Sequence, residues 1–304
     1  MKPKVLITGG SGLFAINWGV NFRENQDIYL SMHNRKINLK GCRLINLNLE
    51  SLDSLYKSIK SINPDFVIHA ASLTNIELCE SDPNYAYHVH VILTSNLAEI
   101  CNSLGIFFIH LSTDHLFDGS SPFVNENETL SPINTYALTK ASAEKMVLDI
   151  SKDSLVIRTN FYGWGTSYRK SFSDLIIHHL REKKNIELFA DVFFTPILVQ
   201  DLCNYIYELW NMRANGVFNI AGNERVSKYD FGLILAKIFN LDASYISKSS
   251  IEKNSNLVKR PKDMSLSIDK ITAYLKKKSS SLNSHIQKLK LLEDKKISLE
   301  LSKL

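Results

Sequence analysis

The sequence predicts an α/β protein, a doubly wound parallel sheet with helices on both faces and a smaller C-terminal lobe. Short apolar runs of strand length alternate with helix-length segments through the first two thirds of the chain. The first of these runs ends in a glycine-rich turn that opens a helix, and the alternation stops near residue 165. Alternation of this kind builds βαβ units, which close a parallel sheet between two helical layers.

The strand-like runs fall at 4–7, 28–31, 43–47, 66–70, 107–111 and 155–158. Their β-branched pairs, such as Val67-Ile68, suit strands buried on both faces. Between them Leu52, Leu55, Ile59 and Ile62, and then Leu97, Ile100, Cys101 and Leu104, recur at helical spacing. Past residue 165 the segments 174–180 and 228–239 read as helices, and 217–220 reads as a strand closed by Gly222. Residues 1–165 are therefore expected to form the main domain, with strands from about 186–222 returning to it. Residues 166–185 and 223–275 would form the smaller lobe. In the remaining 276–304, Leu282, Ile286 and Leu289, then Ile297, Leu301 and Leu304, form an amphipathic stripe. That tail either packs on its own body or serves as a contact to another molecule, which leaves a homodimer open.

With 304 residues and 44% hydrophobic content, the chain can bury a large core. The formal charge of +5 lies in the last 29 residues, where eight lysines meet three acids, and the rest of the chain balances to zero. A nucleic-acid partner would need basic residues spread over a folded face, so none is expected. No apolar stretch is long enough to span a bilayer, no secretory leader is evident at the N-terminus, and membrane insertion is not expected. Cys42, Cys79, Cys101 and Cys203 are scattered, without a CxxC pair or a nearby histidine cluster. They read as thiols in a reducing compartment, so the chain is expected to be cytoplasmic and to hold no metal.

The turn Thr8-Gly9-Gly10-Ser11-Gly12-Leu13-Phe14-Ala15 follows the first strand. Gly9 permits the tight turn, and Gly12 lets the backbone approach a pyrophosphate at the helix N-terminus, beside Leu13 and Phe14. Ala15 occupies the third position of the fingerprint, the smallest replacement for glycine. This context makes the fold an NAD(P)-binding Rossmann fold. The second strand ends in Ser31-Met32-His33-Asn34-Arg35-Lys36, without the carboxylate that would accept from a ribose 2′-hydroxyl. Arg35, with His33 and Asn34 beside it, could instead receive a 2′-phosphate. The expected cofactor is NADPH, with NADH as the alternative if Arg35 is merely solvated.

Tyr136-Ala137-Leu138-Thr139-Lys140 sets a phenol and an ammonium on one helical face. Reducing a carbonyl needs a proton for the oxygen, and a neighbouring cation is expected to lower the phenol's pKa towards neutrality. Upstream, the run 106–111 ends in Ser112-Thr113-Asp114, which places hydroxyls at the carboxyl end of a strand, where ligands bind in open sheets. Thr113 there can hold the substrate oxygen. Asp114 is read either as a substrate contact or as a pin for its own loop.

Strand-end hydroxyl, Tyr-x-x-x-Lys and glycine turn together resemble an extended short-chain dehydrogenase/reductase, most closely the dTDP-4-dehydrorhamnose reductase branch. The carrying segments are 8–15, His69-Ala70-Ala71-Ser72, 112–119, 131–136, 139–140 and Arg260-Pro261. The resemblance implies that Thr113 binds the carbonyl oxygen, Tyr136 is the acid, and Lys140 also holds the nicotinamide ribose. It implies cofactor contacts at Ala70 and Ala71, substrate contacts at Asn160 and Phe161, and a diphosphate contact at Arg260, for which a plain surface arginine is the alternative. The substrates it implies are nucleotide-activated 4-keto-6-deoxysugars, used in deoxysugar or surface-polysaccharide synthesis.

The chain departs from the branch at three places. His90 stands where an Asn usually supports a proton relay, Asn48 near where an Asp approaches the adenine, and Phe161 where Trp is common. Asp114-His115 replaces the Asp-Glu pair of related dehydratases, which favours reduction over removal of water. Two rivals remain. The regulatory β subunit of methionine adenosyltransferase resembles the same branch, so a non-catalytic NADP-binding protein is one. A sugar-nucleotide epimerase is the other.

Overall fold

A computed structural model describes residues 2–33, 35–254 and 256–304. Seven strands form the central sheet: β1 (Lys4–Thr8), β2 (Asp27–Met32), β3 (Cys42–Asn46), β4 (Phe66–His69), β5 (Phe107–Leu111), β6 (Leu155–Arg158) and a last strand, Gly216–Asn219. Their order is last strand, β6, β5, β4, β1, β2, β3, and neighbouring strands run parallel. The chain starts in the middle, winds to one edge through β2 and β3, and returns to lay β4 beside β1. That reversal opens a crevice at the carboxyl ends of β1 and β4, where such sheets bind ligands.

Alternating side chains split the sheet into two cores. Leu6, Val67, Phe108 and Val156 face Leu55, Ile59, Leu97 and Val147 of the helices Leu52–Ile62, Leu93–Ser103 and Thr135–Ile150. Ile7, Leu30, Ile68, Ile109 and Ile157 face Phe14 and Trp18 of the helix Leu13–Phe22 and Leu202 and Ile206 of Val199–Asn211. Ala15, at the third fingerprint position, is fully buried. The register pairs Thr8 with His69, and His69 with His110, so three polar residues share one row at the carboxyl edge.

Of the strands expected to return between about 186 and 222, only Gly216–Asn219 joins the central sheet. The others make small sheets of their own. Phe161–Tyr162 pairs with Ile197–Leu198, Phe193–Phe194 lies between Val226–Ser227 and Asp263–Met264, and Ile186–Phe189 pairs with Ile246–Ser249. Pro196 has no backbone N–H to donate, and it interrupts this stretch between two two-residue strands. Helices Phe172–Arg181 and Lys228–Phe239 pack beside these ribbons.

The C-terminal segment is part of the body. Helices Leu282–Asp294 and Ile297–Ser302 bury Leu282, Ile286, Leu289 and Leu301 against the main core. The Trp164 indole donates to the Leu289 carbonyl at 2.9 Å, and Arg181 forms a two-pronged pair with Glu293 at 2.7 Å. Arg23 pairs with Glu300. The apolar stripe of the expected tail is used within the molecule, so it does not serve as an outward contact. Among the described residues no helix is long and apolar enough to cross a membrane.

Candidate active site

The glycine turn is shaped as a phosphate cradle. Gly9 has φ +68°, and a Cβ there would stand 2.9 Å from the Ala71 nitrogen. A Cβ on Gly12 would stand 3.0 Å from the Gly9 oxygen. Gly12 caps the helix Leu13–Phe22 without any side-chain bond, so the first backbone N–H groups of that helix, at Leu13 and Phe14, have no partner within it. A pyrophosphate fits this bare, positively polarised end. The Phe14 side chain itself turns into the core, 5.7 Å from the Trp18 ring and 6.1 Å from that of Phe161. Sequence reasoning had assigned Phe14 and Phe161 to different ligands, and the structure packs them on each other.

Ala70 and Ala71 close the other side of the cradle, and their backbone N–H groups each donate to the Thr8 hydroxyl at 3.2 Å. Arg35 and His33 are exposed at the end of β2, and the Arg35 guanidinium stacks 3.8 Å from the Tyr168 ring centroid. Asn34, named with them, lies outside the described residues.

The site for chemistry lies between the end of β5 and the helix Thr135–Ile150. Asn134 caps that helix, accepting from the Ala137 N–H at 2.8 Å while its amide donates to the Lys259 carbonyl at 2.9 Å. Tyr136 enters at the first turn and Lys140 follows one turn later. Thr113, Tyr136 and Lys140 are all nearly buried.

The phenol does not behave as its spacing to Lys140 suggests. Burial pushes the Tyr136 pKa up to about 12; the Thr113 hydroxyl opposes this, and the Asp114 charge adds to it. The expected lowering by Lys140 is absent because its amine points elsewhere. It donates to the Leu111 carbonyl at 2.7 Å and to His110 Nε2 at 3.2 Å. Burial draws Lys140 itself down to about 8, with Glu144 opposing. Glu144 is in turn locked to Arg158 by bonds of 2.8 to 3.2 Å in a buried pair.

Three histidines surround that amine. His69 lies 2.7 Å from the Thr8 hydroxyl and 3.0 Å from that of Thr94. His90 sits in a π-helical turn, a distortion common at functional sites. Its Nδ1 is 2.8 Å from the Thr139 hydroxyl and its Nε2 2.9 Å from the Leu73 carbonyl oxygen. His90 thus ties the loop after β4 to the Tyr136 helix. Burial, reinforced by the Lys140 charge, lowers His69 to about 3 and His90 to about 4, and holds His110 well below the ordinary range.

On the substrate side, Asp114 accepts from Asn160 at 2.6 Å and from the Thr113 hydroxyl at 3.3 Å. That arrangement pins its own loop to the segment after β6. Arg260 pairs with Glu77 and borders a cleft lined by Ile133, Val258 and Lys259. The His115 ring stands edge-on to Tyr136 at 5.7 Å. Burial lowers its pKa; Asp114 opposes that, and the charges of Lys228 and Arg260 deepen it.

Sequence reasoning missed Lys228 and His110. The Lys228 ammonium lies 3.3 Å from the Phe194 ring centroid and 4.9 Å from that of Phe172, and burial lowers it to about 8 against the pull of Asp114. The Ser227 cap marks a helix start there, yet nothing local ties Lys228 to Asp114. His110 reads in the sequence only as one residue of an apolar strand.

A family model described as the RmlD substrate binding domain matches residues 2–292. A probable low-salt glycan biosynthesis reductase, Agl14, of Haloferax volcanii is 27% identical over 273 residues, covering 88% of this chain and 91% of that protein. The β subunit of methionine adenosyltransferase 2 from Xenopus tropicalis is 28% identical over 259 residues, covering 80% of this chain and 74% of its own. The crystal structure of dTDP-4-dehydrorhamnose reductase from Bacillus anthracis, in complex with NADP, superposes with a TM-score of 0.85. It covers 96% of this chain and 99% of its own at 22% identity, and so shares the fold.

Proposed function

The chain belongs to the family of the RmlD substrate binding domain, and from that premise we propose that it is an NADPH-dependent reductase of a nucleotide-activated 4-keto-6-deoxysugar. The observation that carries this reading is the meeting of Thr113, Tyr136 and Lys140 beside the glycine cradle, with Tyr136 kept protonated. The kinship to a probable glycan biosynthesis reductase supports a reductase acting in glycan synthesis.

In this reading Gly9, Gly12, the N–H groups of Leu13 and Phe14, and the Ala70-Ala71 backbone hold the pyrophosphate, and Arg35 meets the 2′-phosphate. The nicotinamide, when bound, supplies the hydride that the keto carbon receives. Thr113 donates a hydrogen bond to the keto oxygen, and Tyr136 delivers its proton there as negative charge builds. A phenol held near 12 gives up that proton more readily when a cation stands close to the phenolate it leaves. Lys140 is that cation, and it also holds the ribose once its amine leaves the Leu111 carbonyl. Asn160 and Asp114 fix the Thr113 loop. Arg260 and Lys228 offer positive charge to the substrate diphosphate.

Tyr136→Phe is expected to lower turnover by about a hundredfold or more while NADPH binding, read by fluorescence titration, stays unchanged. Normal turnover in that variant would remove Tyr136 from the role. A second reading, a non-catalytic NADP-binding regulatory subunit, draws on the match to the methionine adenosyltransferase subunit. Absence of turnover together with tight NADPH binding would favour it.

A further inference from the structure

After Gly163 the second lobe sends a short turn back over the carboxyl edge of the central sheet. Thr166 and Arg169 close it with reciprocal backbone bonds of 3.2 and 3.3 Å. From it, the Tyr168 hydroxyl donates to the Ser11 carbonyl at 3.1 Å, and the Arg169 guanidinium donates to the Thr74 hydroxyl at 2.8 Å. The face of the Tyr168 ring carries Arg35. Ser11 follows β1, Thr74 follows β4 and Arg35 follows β2, so one turn touches the ends of three adjacent strands. An extended dinucleotide lies across these strand ends in an open sheet of this kind.

We propose that Tyr168 belongs to the cofactor site as the residue that presents Arg35 to a ribose 2′-phosphate, and so sets the preference for NADPH over NADH. Arg35 sits on an exposed segment and forms no salt bridge or hydrogen bond among the described residues. Left free, an arginine there samples many rotamers, and ordering it on a phosphate opposes binding. Stacking on Tyr168 fixes its plane in advance. The five N–H donors lie around the rim of that plane, so contact on its face leaves them free for a phosphate. The Tyr168 hydroxyl also reaches the pyrophosphate turn, at the Ser11 carbonyl, but the stacking of Arg35 rests on the ring alone. The inference rests on the reading that Arg35 takes the 2′-phosphate.

The test is fluorescence titration of the full-length protein with NADPH and with NADH, and competition by 2′,5′-ADP and by 5′-ADP. The variants are Arg35→Met, Tyr168→Leu and Tyr168→Phe. The wild-type chain is expected to favour NADPH by about tenfold or more, the worth of one charge-assisted bond set. Arg35→Met abolishes that preference. Tyr168→Leu weakens NADPH and 2′,5′-ADP several-fold while leaving NADH and 5′-ADP unchanged. Tyr168→Phe, which keeps the ring, retains the preference and so covers the case in which the leucine variant does not fold.

Equal weakening of all four ligands by Tyr168→Leu, or no effect on any, would overturn the inference. So would loss of the preference in Tyr168→Phe. If Arg35→Met keeps the preference, the underlying reading of Arg35 fails first. If Arg35→Met loses it and the leucine variant keeps it, only the role of Tyr168 fails.

Discussion

At the scale of single residues, protonation states shape the chemistry. Tyr136 is raised to about 12, so below that it carries the proton that the proposed reduction would consume. Lys140, drawn down to about 8, loses its charge first as pH rises. Reduction is therefore expected to be level between about pH 6 and 7 and to fall as pH passes the Lys140 value, with the Tyr136 proton still in place. The reverse oxidation needs phenolate and should climb with pH over the same range. Lys140→Arg, whose charge persists, should remove the alkaline fall in the reductive pH–rate profile, and an unchanged profile would contradict the assignment. Tyr136, Lys140 and Thr113 were legible because each sits in a local pattern: a helical spacing and a strand end. The direction of the Lys140 amine was not, since its partners His110 and Leu111 lie about thirty positions away and meet it only after the helix docks on β5.

At the scale of elements, capping decides where Tyr136 stands. Asn134 both starts the Tyr136 helix and grips the Lys259 carbonyl, so one side chain sets the helix entry and ties it to the second lobe. Asn134→Ala should cost about 1 kcal/mol, seen as a loss of about 2 °C in Tm. Turnover should fall more than stability does, because Tyr136 stands two residues on. A Tm drop with unchanged kcat would separate the cap from the chemistry. The central strands were readable from their apolar runs, and the glycine turn from its place between strand and helix. The second lobe was not. Its strands are mostly two residues long and pair with distant partners, as Phe193–Phe194 does with Asp263–Met264, which leaves no periodicity to detect. The C-terminal stripe was visible in the sequence, but not the surface it covers. Burying Leu282, Ile286, Leu289 and Leu301 contributes roughly 6–12 kcal/mol, as much as a whole domain's net stability. The segment is structural.

At the scale of the whole molecule, burial keeps the histidines around Lys140 uncharged. His69 and His90 stay neutral down to about 3 and 4, against an ordinary value of 6.5. The unfolded chain therefore binds these protons first as pH falls. Their contribution to stability is full above about pH 6.5 and is lost progressively as pH falls below it, down to about pH 4 for His90 and about pH 3 for His69. Thermal melts should drop clearly between pH 7 and pH 5, and His90→Asn should flatten part of that slope. A pH-independent Tm would show that these rings take up protons as readily in the fold as in the unfolded chain, and would contradict their neutral burial. Neutral His69, His90 and His110 add no competing positive charge beside Lys140, which suits the proposed proton delivery. Following NADPH oxidation with a panel of nucleotide-linked 4-keto-6-deoxysugars, wild type beside Tyr136→Phe, decides whether the proposed reduction occurs. Steady oxidation is expected with at least one member, and a loss of about two orders of magnitude or more in the variant. Tight NADPH binding with no oxidation by any member, or equal rates in both proteins, would contradict the proposal.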